Sequence, residues 1–152
     1  MRPLLYNAWW CTFGGTSAAC PLVSGVAALL LSRRPDLTSS QVYDIIRNSA
    51  QTHLKWGNII PPDDQYGYGR VDAFRAFLAV CRGDSNNDGR MDVSDIMYIV
   101  NYLYKHGQPP KPDVLMADAN CDGIVSALDA TYLTNYFYKG GPPPPICFNY
   151  GN

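Results

Sequence analysis

The chain has 152 residues, 47% of them hydrophobic, enough to bury the core of one ordinary domain or two small ones and too apolar for wholesale disorder. A formal net charge of −1 gives no general attraction to nucleic acid or to an anionic membrane surface. All thirteen acidic residues are aspartates, and seven of them (Asp84, Asp88, Asp92, Asp95, Asp118, Asp122 and Asp129) fall in two short segments, a clustering that fits metal ligation better than a solvated acidic face.

The opening MRPLLYNAWW carries one basic residue and no sustained apolar stretch, so it does not read as a signal peptide, and any export signal is expected upstream. No run of about 18 apolar residues is found, so no membrane span is expected. Five cysteines, Cys11, Cys20, Cys81, Cys121 and Cys147, favour an oxidising compartment, and the odd count leaves one unpaired. Spacing does not fix the connectivity. Cys81 and Cys147 bracket the second half of the chain and are the preferred pair, with Cys81 and Cys121 the alternative, while Cys20 is expected as a buried free thiol.

In chain order, SAACPLVSGVAALLL at 17–31 is apolar on every face and predicts a helix buried all round. In DLTSSQVYDIIRNSA, Thr38 is the expected N-cap, Gln41 completes a capping box and Leu37 can staple onto Val42. Val42, Ile45, Ile46 and Ser49 then share one face of a second helix. Residues 51–70, with Pro61, Pro62 and three glycines, read as loop, and VDAFRAFLAV at 71–80 as a short third helix. This half is mostly helix with almost no strands, a covering of helices without a sheet to cover.

From Cys81 the composition shifts to Asp, Asn, Tyr and Pro, and an internal repeat appears. Asp84, Asn86, Asp88, Gly89 and Asp95 recur 34 residues later as Asp118, Asn120, Asp122, Gly123 and Asp129, and NYLYKHGQPP recurs as NYFYKGGPPP. Each unit fits the twelve-residue EF-hand calcium loop, with Asp95 and Asp129 in place of the closing Glu. Asp84, Asn86, Asp88, the Arg90 carbonyl, Asp92 and Asp95 are the expected ligands of one Ca2+. Asp118, Asn120, Asp122, the Ile124 carbonyl, Ser126 and Asp129 are those of a second. Four carboxylates against three predict tighter binding in the first loop.

Helices follow each loop, at 95–105 and 129–139. Ile99, Tyr102 and Leu103 share a face of the first, and Leu133, Tyr136 and Phe137 a face of the second. Asn101, Tyr104 and Lys105, with Asn135, Tyr138 and Lys139, point partly elsewhere, towards solvent or a partner.

Two loop-plus-helix units resemble the type I dockerin module over about 81–145, on GDSNNDGRMDVSD, ADANCDGIVSALD and the two NY-helices. The resemblance implies calcium-dependent attachment to a cohesin-like scaffold protein. It departs from equivalence of the two units, because Val93 and Ser94 in one stand opposite Ala127 and Leu128 in the other, a position that helps set partner choice in that family.

The stretch GGTSAACPLVSG matches, at Gly15, Thr16, Ser17, Ala19, Pro21, Val23 and Gly25, the nucleophile segment of subtilisin-like serine proteases. PDLTSSQVYDIIRNSA and YGYGRVDAFRAF resemble the elements that follow it there, so the resemblance covers 9–80. It implies that Ser17 is the catalytic nucleophile, that its own N–H is one oxyanion donor, and that the acid and base lie N-terminal to it. His53 and His106 both follow Ser17, the wrong order for this family, and neither is expected to act as its base.

The fold expected is the C-terminal, mostly helical part of an α/β subtilase domain (1–80), its parallel sheet largely missing, followed by a small all-α dockerin-like module (81–147; repeats 84–110 and 118–144) with two EF-hand-type calcium loops, and a tail (148–152). The function expected is that of the C-terminal part of a secreted serine endopeptidase acting on polypeptide substrates. The alternative is a non-catalytic, calcium-dependent protein-binding fragment.

Overall fold

The computed structural model describes residues 14–55 and 57–148. Cys11, residues 9–13 of the subtilase resemblance and residues 149–152 of the tail lie outside the described residues. Helix α1, Thr16–Arg33, starts at Gly15, whose φ of 76° sets the turn into the helix. Helix α2, Ser39–Asn48, has the expected capping box: Gln41 N–H donates to Thr38 Oγ1 (3.3 Å) and Thr38 N–H to Gln41 Oε1 (2.8 Å). Helix α3, Ala73–Val80, is capped by Asp72, which accepts from Arg75 N–H (3.0 Å). Between α2 and α3 the loop contains one small antiparallel hairpin, β1 (His53–Leu54) with β2 (Gly57–Asn58), and is closed at its base by paired Gln51 and Arg70.

Helices α1, α2 and α3 pack on one another. Leu30, Leu37, Val42, Ile45, Ala76, Leu78, Ala79 and Val80 form their core, so the face read from the α2 periodicity is the one buried, and Leu37 and Val42 meet in it.

All-round burial of α1 is not what the structure has. Only Leu30 is fully buried, while Leu22 is 67% exposed and Val23, Leu29 and Leu31 are also exposed. Two helices and a loop cover one side of α1, and among the described residues nothing covers the other. For the same reason Cys20 is free but exposed rather than buried. Helix α1 bears on the expectation about membrane spans without overturning it. Extended to Arg33 it reaches 18 residues at a mean hydropathy of 1.3, long and apolar enough to cross a membrane by length and composition alone.

The second half holds α4 (Val93–Tyr104), a 3-10 helix (Val114–Ala117) and α5 (Ala127–Lys139). Helices α4 and α5 pack together around Ile99, Ala117, Ala119, Ala130 and Leu133, with Leu103 and Phe137 partly buried against them. The repeat is kept to the level of single bonds. Tyr98 Oη donates to the Pro109 carbonyl and Tyr132 Oη to that of Pro143, and His106 and Gly140, at equivalent positions, both have positive φ (54° and 69°).

The two halves share a core. Met116 and Ile146 pack into the cluster around Leu30 and Val80, Gly83 N–H donates to the Met116 carbonyl (2.8 Å) and Cys147 N–H to that of Ala79 (3.1 Å). The disulfide differs from both expected pairings. Cys121 bonds Cys147, with a Cα–Cα distance of 5.8 Å, and Cys81 is a buried free thiol. Cys81 caps α3 and faces the apolar core, whereas Cys121 reaches the irregular C-terminal segment from within the second loop, where its φ is 66°.

Truncating a side chain that both halves enclose leaves a cavity, and truncating an exposed one does not. Leu30→Ala is expected to lower unfolding stability by about 2–5 kcal/mol and Leu22→Ala by about 0.5 kcal/mol or less, read from urea denaturation of the full chain.

Candidate calcium loops and the serine segment

The loops are built from buried aspartates held by backbone N–H groups. In the first, Asp84 Oδ1 accepts from Asp88 N–H (3.2 Å) and Oδ2 from Gly89 N–H (3.2 Å), and Asp95 accepts from Asn86 N–H (3.2 Å) and Asp92 N–H (2.9 Å). The second reproduces these bonds. Asp118 accepts from Asp122 N–H (3.1 Å) and Gly123 N–H (3.1 Å), and Asp129 from Asn120 N–H (3.2 Å) and Ser126 N–H (2.8 Å). Gly89 and Gly123 have φ of 94° and 86°, a turn that a side chain would strain. The last residue of each loop is also the third of the following helix and closes its capping box, so each loop and its exiting helix form one unit.

Asp84, Asp95, Asp118 and Asp129 are each at most 1% exposed. Burial pushes the carboxyls of Asp95 and Asp129 above the usual carboxylate range, and the backbone N–H bonds only partly oppose it. Asp88, Asp122 and Asp92 are exposed. The four carboxylates of the first loop therefore do not converge. Asp92 turns outward to accept from Ser94 N–H (2.7 Å) and Ser94 Oγ (2.6 Å), which hold its carboxyl below the usual range. Among the described residues no three His, Cys or Asp side chains by themselves form a metal-holding group. The donor set is mixed: carboxylate, amide and backbone oxygens, with no sulfur or imidazole. That is the chemistry of a hard cation such as Ca2+.

Two arginines that the sequence did not single out complete the picture. The Arg33 guanidinium pairs with Asp84 and that of Arg82 with Asp118 (3.3 Å) and the Leu115 carbonyl. Arg82 stands two residues before a loop but serves the other one, and Arg33 comes from α1. Both contacts depend on tertiary packing, so no local pattern announces them.

Ser17 lies exposed in the first turn of α1. Among the described residues no hydrogen bond joins it to a histidine. His53 Nδ1 pairs with Asn58 Oδ1 (2.7 Å) in the small hairpin, and His106 is an exposed residue after α4. Val93, Ser94, Ala127 and Leu128 are all exposed at the starts of α4 and α5, as are Tyr104, Lys105, Tyr138 and Lys139 towards their ends. Asn101 and Asn135 are half-buried, and their carbonyls accept from Gly107 and Gly141 N–H.

The class of protein these features define is a helical segment bearing an exposed helix-start serine, joined through a shared core to a duplicated oxygen-donor loop module. Comparison gives the families. Residues 2–69 match the Subtilase family and residues 82–138 the Dockerin type I domain. The chain thus joins a subtilase segment to a dockerin type I module, and the dockerin match implies Ca2+ binding.

Over 68 residues it is 46% identical to a calcium-dependent protease of Trichormus variabilis, covering 43% of this chain and 10% of that protein. It is 40% identical over 62 residues to the serine protease AprX of Bacillus subtilis (41% and 13%). To the halolysin-like extracellular serine protease Nep of Natrialba magadii it is 39% identical over 77 residues (51% and 13%). The chain spans only about a tenth of the length of these relatives. No solved structure matches.

Thiol reactivity follows exposure and pKa. Burial pushes the Cys81 thiol up, with Arg33 only partly opposing it, while Cys20 is exposed. Brief iodoacetamide treatment of the native chain, mapped by mass spectrometry, is expected to alkylate Cys20 while leaving Cys81 unmodified until denaturant is added.

Proposed function

We propose that this chain is the C-terminal part of a secreted subtilisin-like serine endopeptidase, contributing the nucleophile Ser17 and, through 81–147, a calcium-dependent attachment module for a cohesin-like scaffold. The observation that carries the reading is the ordered pair of family matches, subtilase then dockerin, each on its own stretch of chain. Secretion is supported by the cysteine usage and by the extracellular relative Nep.

In the parent enzyme Ser17 Oγ would attack the peptide carbonyl and carry the acyl group. Its place in the first turn of α1 puts the developing negative charge at the positive end of the helix dipole. The base that takes the Ser17 proton and the acid that orients it would come from N-terminal to Ser17, the order usual for this family. The chemistry Ca2+ supplies is charge neutralisation. Asp84, Asn86, Asp88, the Arg90 carbonyl, Asp92 and Asp95 would hold one ion, and Asp118, Asn120, Asp122, the Ile124 carbonyl, Ser126 and Asp129 a second. Binding at the first loop requires Asp92 to turn back from Ser94 or to act through water.

The exposed Ser17, with no histidine bonded to it among the described residues, favours a second reading for the chain by itself: a binding fragment without peptidase activity. A fluorophosphonate probe tests it. The isolated chain is expected to leave Ser17 unlabelled, since members of a catalytic triad act as a unit worth on the order of 10⁶-fold in rate. Robust labelling would require a base within these 152 residues.

The attachment reading is tested by circular dichroism of the full chain after chelation. Loss of α4 and α5 helical signal is expected, with recovery on adding millimolar Ca2+, because metal bound only to the folded form adds its binding energy to stability. Asp84→Ala combined with Asp118→Ala is expected to abolish the recovery. A helical signal and thermal midpoint indifferent to Ca2+ would refute the calcium assignment for both loops.

A further inference from the structure

The first aspartate of each loop uses its two oxygens differently. Oδ1 accepts from a backbone N–H of the loop, that of Asp88 or Asp122. Oδ2 accepts from the loop glycine, Gly89 or Gly123, and is also the oxygen met by an arginine, Arg33 for Asp84 and Arg82 for Asp118. The arrangement is the same in both loops, but its source is not. The repeat counterpart of Arg82 is Met116, which is fully buried in the shared core and carries no charge. The loop served from inside the second half is the second one. The first receives its guanidinium from the last residue of α1, in the subtilase segment.

The contact is enclosed. The side chains of Arg33 and Asp84 are 16% and 2% exposed, and the small cleft they line is walled by Val80, Cys81, Gly89 and Met91. Leu30, one turn before Arg33, is locked into the core that Met116 and Ile146 also enter, so the end of α1 is held in register with the loop. A carboxylate this buried needs a charged or hydrogen-bonding partner. A partner on the outer oxygen of a metal-binding carboxylate fixes its orientation towards the ion.

We propose that Arg33 is a positioning residue for the first calcium loop, so that the subtilase segment completes a cation site of the dockerin module. The inference rests on the calcium reading above. Charge decides between help and competition. The first loop contains Asp84, Asp88, Asp92 and Asp95, with Arg90 offsetting one of these four charges, and the Arg33 guanidinium together with one Ca2+ brings it to neutrality without making it net positive. Because Arg33 shares Oδ2 with Gly89 N–H, Oδ1 remains for the ion. The guanidinium on Asp84 thus comes from a residue that the dockerin module itself does not contain.

The test is calorimetric titration of Ca2+ into the full chain after chelator treatment, in a background carrying Asp122→Ala to weaken the second loop, and again in the parent sequence. Arg33→Gln is expected to lower first-loop affinity by about tenfold, the low end of the usual loss for such partners. The second loop should be unchanged and Arg33→Lys intermediate, with far-UV dichroism at saturating Ca2+ equal to that of the parent. Arg33→Met, which keeps the aliphatic stem in the cleft, is the second variant should Arg33→Gln not fold.

Unchanged affinity, higher affinity, or an equal loss at both loops would overturn the proposal. The first would make Arg33 a bystander, the second a competitor for Asp84, and the third a purely structural support. A parent chain that binds no Ca2+ at either loop would instead overturn the calcium reading, and the inference with it.

Discussion

Four aspartate side chains, Asp84, Asp95, Asp118 and Asp129, are sealed from water in the second half of the chain, and the rest of that half is arranged to make this tolerable. Moving a carboxylate out of water costs several kcal/mol unless hydrogen bonds and opposite charge replace its hydration. Backbone N–H groups of the loops supply the bonds, at least two for each aspartate. They leave Asp95 and Asp129 with carboxyls still pushed upward by burial, so the site remains electrostatically incomplete without a cation. Positive-φ glycines, the caps of α4 and α5 and the packing of those helices all follow from wrapping chain closely enough around these oxygens.

The same constraint joins the two halves. A junction at Cys81 reads in sequence as a change of composition, and the family matches stop and start on either side of it. In the fold it is not a loose linker. Met116 and Ile146 cross into the helical core of the subtilase segment, Cys147 bonds to the Ala79 carbonyl, and Arg33 reaches back to Asp84. The apolar contacts supply non-directional burial, while the arginine contact adds direction and fixes how the end of α1 meets the first loop.

Local signals were legible where local chemistry dictates structure. Thr38 with Gln41, the buried face of α2, the loop glycines and the 34-residue repeat could each be read because capping, helical period and turn geometry are decided within a few residues. What failed was non-local. The apolar sequence of α1 predicts neighbours on every side, but which neighbours are present is not written in α1. Cys81 brackets the module in sequence, yet it turns into the core as a helix cap, and its place is taken by Cys121 from within a loop. Asp92 matches the loop pattern, but nearby Ser94 offers it two donors and draws it outward. Arg33 and Arg82 carried no signal, because an arginine at the end of an apolar helix or just before an acidic loop is indistinguishable in sequence from a solvated one.

Duplication explains why the loops look alike, and the contacts outside the repeat explain why they need not behave alike. The second loop has Ser126 where the first has Asp92 and Ile124 where the first has Arg90, so it has one carboxylate and one guanidinium fewer. It is also tied covalently, through Cys121, to the C-terminal segment that meets the end of α3, and its arginine is the almost fully buried Arg82. Its arginine and its disulfide partner both lie within residues 82–147. The first loop contains no cysteine, and the arginine on Asp84 comes from α1. A symmetric repeat has thus been placed in an asymmetric setting, in which one loop is restrained from within its own module and the other from the segment before it. Any separation of the halves would loosen the first loop first, because only there does the countercharge belong to the neighbouring segment.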